Sequence, residues 1–176
     1  VFVPALDKQY FTLDMWLPEG TRIEETDKMV MDMAEYIRGQ EETEMVSTYV
    51  GRTPPRYYLS NVSFGPQSNY AQILVKCKTS KLSRQLHARL QDSVSLKFPE
   101  PLIKVNKFEL SPLTEAVIEA RFLGPDPAVL DSLVGQAIEI MRQNPKVADA
   151  RNEWGNMSMV IRPVYDPVKA GALGIT

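Results

Sequence analysis

"YFTLDMWLPEGTRIEETDKMVMDMAEYIRG" (residues 10–39) contains a change of hydrophobic period that indicates a strand followed by a helix. Residues 10–17 alternate between polar and apolar side chains, which predicts a half-buried β-strand. Thr12, Asp14 and Trp16 fall together on the more polar face of this strand, and Phe11 begins the apolar face. The two faces of this first strand are therefore expected to have different neighbours.

A helix is predicted directly after the turn "PEG" (residues 18–20). Thr21 and Glu24 have the spacing of a capping box, in which two side chains satisfy free backbone N–H groups at a helix start. Apolar residues recur at helical spacing from Ile23 to Ile37, and Gly39 is placed to end the helix.

The next elements complete a recognisable order. "EMVSTYV" (44–50) and "YAQILVKCK" (70–78) predict two strands, Thr79 or Ser80 can cap a second helix, and "PLIKVNKFEL" (101–110) predicts a fourth strand. The order β-α-β-β-α-β is typical of a ferredoxin-like sandwich, in which helices cover one face of an antiparallel sheet. We therefore predict an α+β fold. Because this architecture hosts many unrelated functions, it does not assign one.

The pattern then starts again. "TEAVIEARFL" (114–123) predicts a strand, and Asp126 with Pro127 predicts a helix start, with Asp126 as the N-cap and proline at the first helical position. "KVADARNEW" (146–154) and "MSMVIRPVY" (157–165) predict two more strands, so the second half is a partial copy, β-α-β-β. The helix of this copy is expected to bury a stripe formed by Leu130, Leu133, Val134, Ala137, Ile138 and Met141.

Composition excludes several classes of function. Of 176 residues, 44% are hydrophobic and 24% charged, which is typical of a folded protein, and the net charge is −2. Without a surplus of basic residues, nucleic acid is not expected as a partner. No run of about 18 apolar residues occurs, so the sequence predicts no membrane-spanning segment in this chain.

Enzyme chemistry has little support. His87 is the only histidine, and it lies in the charged segment "SRQLHARLQD" (83–92), where a solvated helix position is expected. The only cysteine, Cys77, is far from His87 in the sequence. One histidine and one cysteine therefore indicate neither a zinc site nor a catalytic Cys–His pair. No glycine-rich phosphate loop occurs. We therefore predict a protein that is not an enzyme and has no cofactor or metal.

The segment "YVGRTPPRYYLSNVSFGPQSNY" (49–70) is an unusually long connection, since most loops in compact domains have roughly 4–6 residues. Tyrosine and arginine are favoured at recognition surfaces, because they offer large contact areas. We predict that this loop contacts a ligand or partner; the alternative is a strand extension in which Tyr57 and Leu59 pair back. The candidate contact residues are Arg52, Arg56, Tyr57, Tyr58 and Phe64.

Trp16 is unusual, because it is a large aromatic residue on the polar face of its strand, beside Thr12 and Asp14. Two interpretations are open. A neighbouring subdomain covers the ring, or the ring forms the wall of a cleft.

Four segments, in order, resemble resistance-nodulation-division (RND) efflux pumps of the hydrophobe/amphiphile group. "VFVPALDKQYFTLDMWLPEGTRIEET" (1–26) is similar to the family's segment that leaves the membrane and enters the porter region. "TYVGRTPPRYYL" (48–59), "FLGPDPAVL" (122–130) and "DARNEWGNMSMVIRPVYDPVKAGALGIT" (149–176) match later motifs of the same region. Because "LPEGTRIEET" resembles the second half of such pumps, the resemblance implies a first porter subdomain over residues 1–108 and part of a second over residues 109–176.

The resemblance also implies a function. RND pumps are proton-driven homotrimers of the bacterial inner membrane that work with a periplasmic adaptor and an outer-membrane channel, and their porter domains face the periplasm. Substrates, which are small amphiphilic molecules, enter a cleft between the two subdomains. The resemblance places Thr12, Asp14 and Trp16 on one wall of this cleft, Ile118 and Arg151 on the other side, and the loop of residues 49–70 between an outer and an inner pocket. However, alternation puts Ile118 on the apolar face of its predicted strand, which leaves its direction open.

The leading hypothesis is therefore a periplasmic porter segment of an RND efflux transporter. The alternative is a cytosolic regulatory protein whose tandem ferredoxin-like domains bind a small ligand. Since the chain begins at Val1 and its second repeat lacks the last helix and strand, we expect it to be a segment of a longer protein.

Overall fold

The computed structural model describes residues 8–55, 63, 65–108, 118–144, 147, 150–157 and 159–174. The first six elements follow the β-α-β-β-α-β order expected from the sequence. In chain order the elements are β1 (Tyr10–Trp16), α1 (Ile23–Arg38), β2 (Thr43–Val50), β3 (Tyr70–Cys77), α2 (Ser80–Lys97), β4 (Leu102–Lys107), α3 (Pro127–Arg142) and α4 (Pro167–Ala172).

The four strands form one antiparallel sheet in the order β2-β3-β1-β4. β1 is therefore a central strand, with β3 on one side and β4 on the other. Asp14 lies opposite Gln72 of β3 and opposite Lys104 of β4. Because successive side chains point to opposite faces of a strand, these three residues share one face of the sheet.

The other face carries the hydrophobic core and both helices of the sandwich. β1 contributes Phe11, Leu13 and Met15, while α1 contributes residues such as Met33 and α2 residues such as Leu90, all fully or almost fully buried. Each large apolar side chain buried in this way contributes about 1.5–3 kcal/mol. The predicted α+β class is confirmed, with two helices packed on one face of a four-stranded antiparallel sheet.

The helix starts test the predicted capping residues. Thr79 is the N-cap of α2 and accepts a hydrogen bond from the Leu82 N–H at 3.2 Å, as expected. The predicted capping box at Thr21 is wrong, because α1 begins at Ile23 with Arg22 as the N-cap, and the Arg22 side chain makes no capping hydrogen bond. The Thr21 hydroxyl instead donates to the Pro18 carbonyl at 2.6 Å. The side chain that would cap the helix is therefore used in a local turn.

The described ends of the long loop are fixed to the rest of the fold. The Gly51 N–H donates to the Tyr70 carbonyl at 2.8 Å, and the Gln67 N–H donates to the Gly51 carbonyl at 2.7 Å. The Ser68 hydroxyl donates to the Thr21 carbonyl at 2.8 Å, and the Thr26 hydroxyl of α1 donates to the Ser68 carbonyl at 2.7 Å. These bonds join the loop ends to the sheet and to the start of α1.

The second half agrees with the sequence in its helix. α3 begins at Pro127, and the Asp126 carboxylate accepts from the N–H groups of Ala128 and Val129 at 2.9 and 3.4 Å. The predicted apolar stripe of α3 is not buried, since Leu133 is 41% exposed and no residue of the helix falls in the buried class.

The predicted strands of the second half are not seen in its described residues, which are 118–144, 147, 150–157 and 159–174. In the segment predicted as the last strand, Met159 and Ile161 are 102% and 93% exposed. A strand needs a neighbour for its backbone groups, and no strand lies beside these residues in the described part. Within the described ranges, every helix is too short or too polar to span a lipid bilayer.

Candidate functional site

The sheet face opposite the helices carries a row of buried polar residues. Thr12 and Asp14 of β1, Gln72 of β3 and Asn106 of β4 are each at most 9% exposed. Strand alternation and the register bring them together, because Thr12 lies opposite Asn106 and Asp14 lies opposite Gln72. We call Asp14, Tyr70, Gln72 and Asn106 the Asp14 cluster.

Asp14 is the centre of this cluster and accepts three hydrogen bonds. The Tyr70 hydroxyl and the Gln72 Nε2 donate to its Oδ1 at 2.5 and 2.8 Å, and the Asn106 Nδ2 donates to its Oδ2 at 2.6 Å. These donors come from β3 on one side of β1 and from β4 on the other. One carboxylate therefore connects three adjacent strands.

The protonation of Asp14 depends on opposing effects. Burial raises the pKa of its carboxyl above the ordinary value, because the charged form loses hydration. The hydrogen bonds from Tyr70, Gln72 and Asn106 and the positive charge of Lys104 all lower the pKa, but burial is the largest effect.

Gln72 brings an unused acceptor to the same place. Its Nε2 donates to Asp14, whereas its Oε1 is buried and has no hydrogen-bond partner in the part of the chain that the structure describes. A buried acceptor without a partner costs free energy. The cluster therefore contains one buried acceptor, the Gln72 Oε1, that no donor satisfies in the described residues.

Trp16 lies at the end of this row and contacts both halves of the chain. Its ring centroid is 5.3 Å from that of Tyr70, and the Arg151 guanidinium carbon lies 5.5 Å from the Trp16 ring. Nearby, the Glu19 N–H donates to the Asn156 Oδ1 at 2.6 Å, and the Asn156 Nδ2 donates to the Glu19 carbonyl at 3.4 Å. A segment of the second half thus meets the end of β1.

The predicted site residues divide into three groups. Thr12, Asp14, Trp16 and Arg151 come together on or beside one sheet face. Arg52 and Ile118 are exposed, and in the described residues no hydrogen bond, ion pair or ring contact joins them to that group. The remaining predicted residues lie outside the described part of the chain: Arg56, Tyr57, Tyr58 and Phe64.

The structure differs from the sequence prediction of this site in two ways: in the burial of two predicted residues, and in three residues that were not predicted. Asp14 and Thr12 are only 7% and 6% exposed, so they lie beneath the surface and do not form its outer layer. Sequence reasoning missed Tyr70, Gln72 and Asn106. Alternation along β3 and β4 places these three residues on the same sheet face as Asp14. Knowledge of how β1 pairs with β3 and β4 would have shown that they lie beside it.

The prediction that His87 is a solvated helix residue is wrong. It is half-buried instead of solvated, and its ring contacts Phe11 edge-on, with centroids 5.8 Å apart. Its Nε2 is buried without a partner in the described residues. Burial lowers the pKa of His87, as does the charge of Lys107, and a hydrogen bond with the Val105 backbone partly opposes this. The described residues include no group of three or more His, Cys, Asp or Glu side chains that could hold a metal ion.

Comparison with known proteins gives one match to a family. The model of the AcrB/AcrD/AcrF family matches residues 1–176. No curated protein sequence gives a significant match. Among solved structures, the crystal structure of a heavy metal efflux pump is similar at a TM-score of 0.49 and 13% identity, covering 80% of this chain and 16% of that pump. At these values the similarity carries no conclusion about what this chain binds.

Proposed function

Since the chain belongs to the AcrB/AcrD/AcrF family, we propose that it is a periplasmic porter segment of a proton-driven RND efflux transporter. The family match covers both halves of the chain, which favours this function over a cytosolic regulatory protein. The proposal concerns one part of a larger pump, because this chain spans 16% of the length of the solved pump that it resembles.

We divide the segment into two porter subdomains. Residues 1–108 form the first, which contains the four-stranded sheet with α1 and α2. Residues 109–176 form part of the second, with α3 and α4. The exposed apolar residues of this second part, such as Met159 and Ile161, are expected to be covered by other parts of the pump.

The observation that carries the proposal is the contact of Arg151 with Trp16. A residue of the second half lies over an aromatic ring at the end of β1, on the sheet face opposite α1 and α2. This is where the substrate-entry cleft between two porter subdomains would lie. The contact supports both interpretations of Trp16, because a ring that a movable subdomain covers becomes a cleft wall when the subdomain moves away.

The chemistry of this region suits amphiphilic substrates. Trp16 offers an aromatic face, backed by the buried ring of Tyr70, and Arg151 offers a cation that can stack on aromatic groups or pair with anions. Thr12 and Asp14 lie beneath, so we assign them to the floor of the cleft, where Asp14 holds the Tyr70 hydroxyl. A cleft with few fixed polar contacts can accept molecules of different shapes.

The long loop completes the proposed entry route. Its candidate residues Arg52, Arg56, Tyr57, Tyr58 and Phe64 would contact substrates between an outer and an inner pocket, and Ile118 would contribute from the other side of the cleft. The bonds at Gly51 and Gln67 hold the described loop ends against the sheet.

The whole transporter would act in the bacterial inner membrane, with this segment in the periplasm. We propose a homotrimer that exports small amphiphilic molecules through a periplasmic adaptor and an outer-membrane channel. The segment itself would bind and pass substrates without catalysing a reaction, and it would need no cofactor.

The test uses the intact pump in cells. Arg151→Ala should change susceptibility to large amphiphilic compounds several-fold, since one lost aromatic–cation contact corresponds to about 1 kcal/mol. Arg162→Ala, which removes an exposed arginine of the same half, is the matched control. At equal expression, identical susceptibility profiles of the two variants and the wild type would refute the proposed site.

A further inference from the structure

A pocket lies on the helical side of the domain, away from the Asp14 cluster. It has a volume of about 450 Å³, within the range of small-molecule sites, and it is open to solvent. Residues from the C-terminal turns of α1 and α2 and their continuations form it. We call it the helix-end pocket, and its lining residues are Asp32, Glu35, Tyr36, Gly39, Gln40, Lys97 and Phe98.

Two aromatic rings in the lining of this pocket are held in place by the hydrophobic core. The Tyr36 and Phe98 centroids are 6.1 Å apart, with ring planes at 66°. Both side chains are partly buried and pack against the hydrophobic core. Because the core holds these rings, a ligand would not have to order them on binding, which reduces the entropic cost.

The rings already hold a cation from the same chain. The Lys97 Nζ lies 4.1 Å from the Tyr36 centroid and 5.9 Å from the Phe98 centroid. Both distances are within the range of cation–π attraction. An ammonium group over the Tyr36 ring and within reach of the Phe98 ring is therefore present in the structure itself.

The remaining charges around the pocket also favour a cation. Asp32 and Glu35 contribute two carboxylates. The nearby Arg89 does not offset them fully, because its guanidinium pairs with Glu42 at 2.9 Å. Without the Lys97 ammonium, the lining would have a net charge of −2 from these two carboxylates.

We propose that the helix-end pocket binds small organic ammonium ions, and that the Lys97 ammonium is an internal occupant that such an ion displaces. The proposal goes beyond the export function and does not depend on it, because no residue of the Asp14 cluster takes part. Recognition would come from the positive charge held over Tyr36 and Phe98, with Asp32 and Glu35 adding long-range attraction.

The experiment is a titration of the 15N-labelled 176-residue chain, followed by the amide signals of Tyr36, Gly39 and Phe98 in NMR spectra. The probe is choline, and the matched neutral probe is 3,3-dimethyl-1-butanol, which has the same shape without the charge. We expect choline to shift these signals in a saturable way and the alcohol to bind at least about threefold more weakly.

Variants separate the proposed roles. Lys97→Met removes the internal cation, keeps an apolar stem and should strengthen choline binding about two- to fivefold. Lys81→Met, at an exposed lysine near the start of the same helix, is the control and should change nothing. The surface variant Asp32→Asn/Glu35→Gln keeps the rings and should weaken choline binding while leaving the alcohol unaffected. If choline and the alcohol bind equally, or if Lys97→Met fails to strengthen choline binding, the proposal is wrong.

Discussion

The Tyr70 hydroxyl donates to Oδ1 of Asp14 at 2.5 Å, and this bond joins β3 to the central strand β1 on the sheet face opposite α1 and α2. Tyr70 is fully buried, and its ring also contacts Trp16. One side chain therefore connects the buried carboxylate with the aromatic ring that Arg151 covers. A change at Asp14 is expected to reach Trp16 through Tyr70.

Asp14→Ala and Asp14→Asn should differ strongly in stability. Alanine leaves the Tyr70, Gln72 and Asn106 donors without their acceptor, and one buried unpaired donor costs about 1–3 kcal/mol. Asparagine keeps an acceptor oxygen for Tyr70 and Gln72 but places its NH2 group opposite the Asn106 donor, so we expect a loss of unfolding free energy that is smaller than the loss for alanine. Urea unfolding at pH 7 measures both. Equal losses would show that the polar contacts of Asp14 contribute little.

The pH dependence of stability should show the raised pKa of Asp14. Between its unfolded value near 3.8 and its higher folded pKa, the folded state binds more protons than the unfolded state. The contribution of Asp14 to the free energy of unfolding therefore rises as pH falls through the folded pKa and is complete below the unfolded value. Asp14→Asn should abolish this contribution. If the wild type and Asp14→Asn have parallel pH profiles from pH 3 to 7, the carboxyl is not perturbed.

His87 should act in the opposite direction. Its pKa is lowered, so below the unfolded value near 6.5 the unfolded state binds the additional proton and the folded state loses stability as pH falls. His87→Asn keeps a side chain able to hydrogen-bond the Val105 backbone and should remove this loss. Unfolding curves between pH 5 and 8, recorded in an Asp14→Asn background, separate the two groups. If the unfolding free energy of His87→Asn falls with pH as steeply as that of its Asp14→Asn parent, His87 does not cause the loss of stability.

Gly51→Ala should destabilise the fold. Gly51 has a φ of +77°, which L-residues rarely adopt, and an added Cβ would lie 2.9 Å from the Ile23 Cδ1. The backbone conformation alone costs about 1–2 kcal/mol. Gly65→Ala is the control, since a Cβ there would meet nothing within 4 Å. Thermal unfolding of both variants tests this, and equal melting temperatures would mean that the loop start can rearrange without cost.

The first half was predictable because its local signals agree with its tertiary contacts. Alternation in residues 10–17 and the cap at Thr79 indicate elements that the structure contains. The capping box at Thr21 failed because the same hydroxyl can bond within a turn, and only the structure shows which bond forms. Similarly, the Asp14 cluster needed the strand register, which alternation within single strands does not supply.

The second half shows the limit of pattern reasoning. Asp126 and Pro127 start α3 through contacts within a few residues, so the sequence predicts them well. The segment of residues 157–165 has a strand pattern, but a strand forms only beside another strand. In the described residues it has no such neighbour, and its side chains remain exposed. Its pattern therefore indicates a requirement for pairing and does not identify the partner.

The last prediction concerns the loop of residues 49–70 in the intact pump. Replacing Tyr57, Tyr58 and Phe64 together by alanine should change which compounds are exported more than it changes folding, because aromatic loop residues on a rigid scaffold contact ligands. One lost aromatic contact corresponds to about 1 kcal/mol, a several-fold change in affinity. The measurement is a susceptibility panel of large and small substrates at matched expression. Leu96→Ala, at an α2 side chain that is 83% exposed, is the control for nonspecific loss of an apolar surface residue. If the triple variant has the same export profile as this control, the loop only connects β2 to β3.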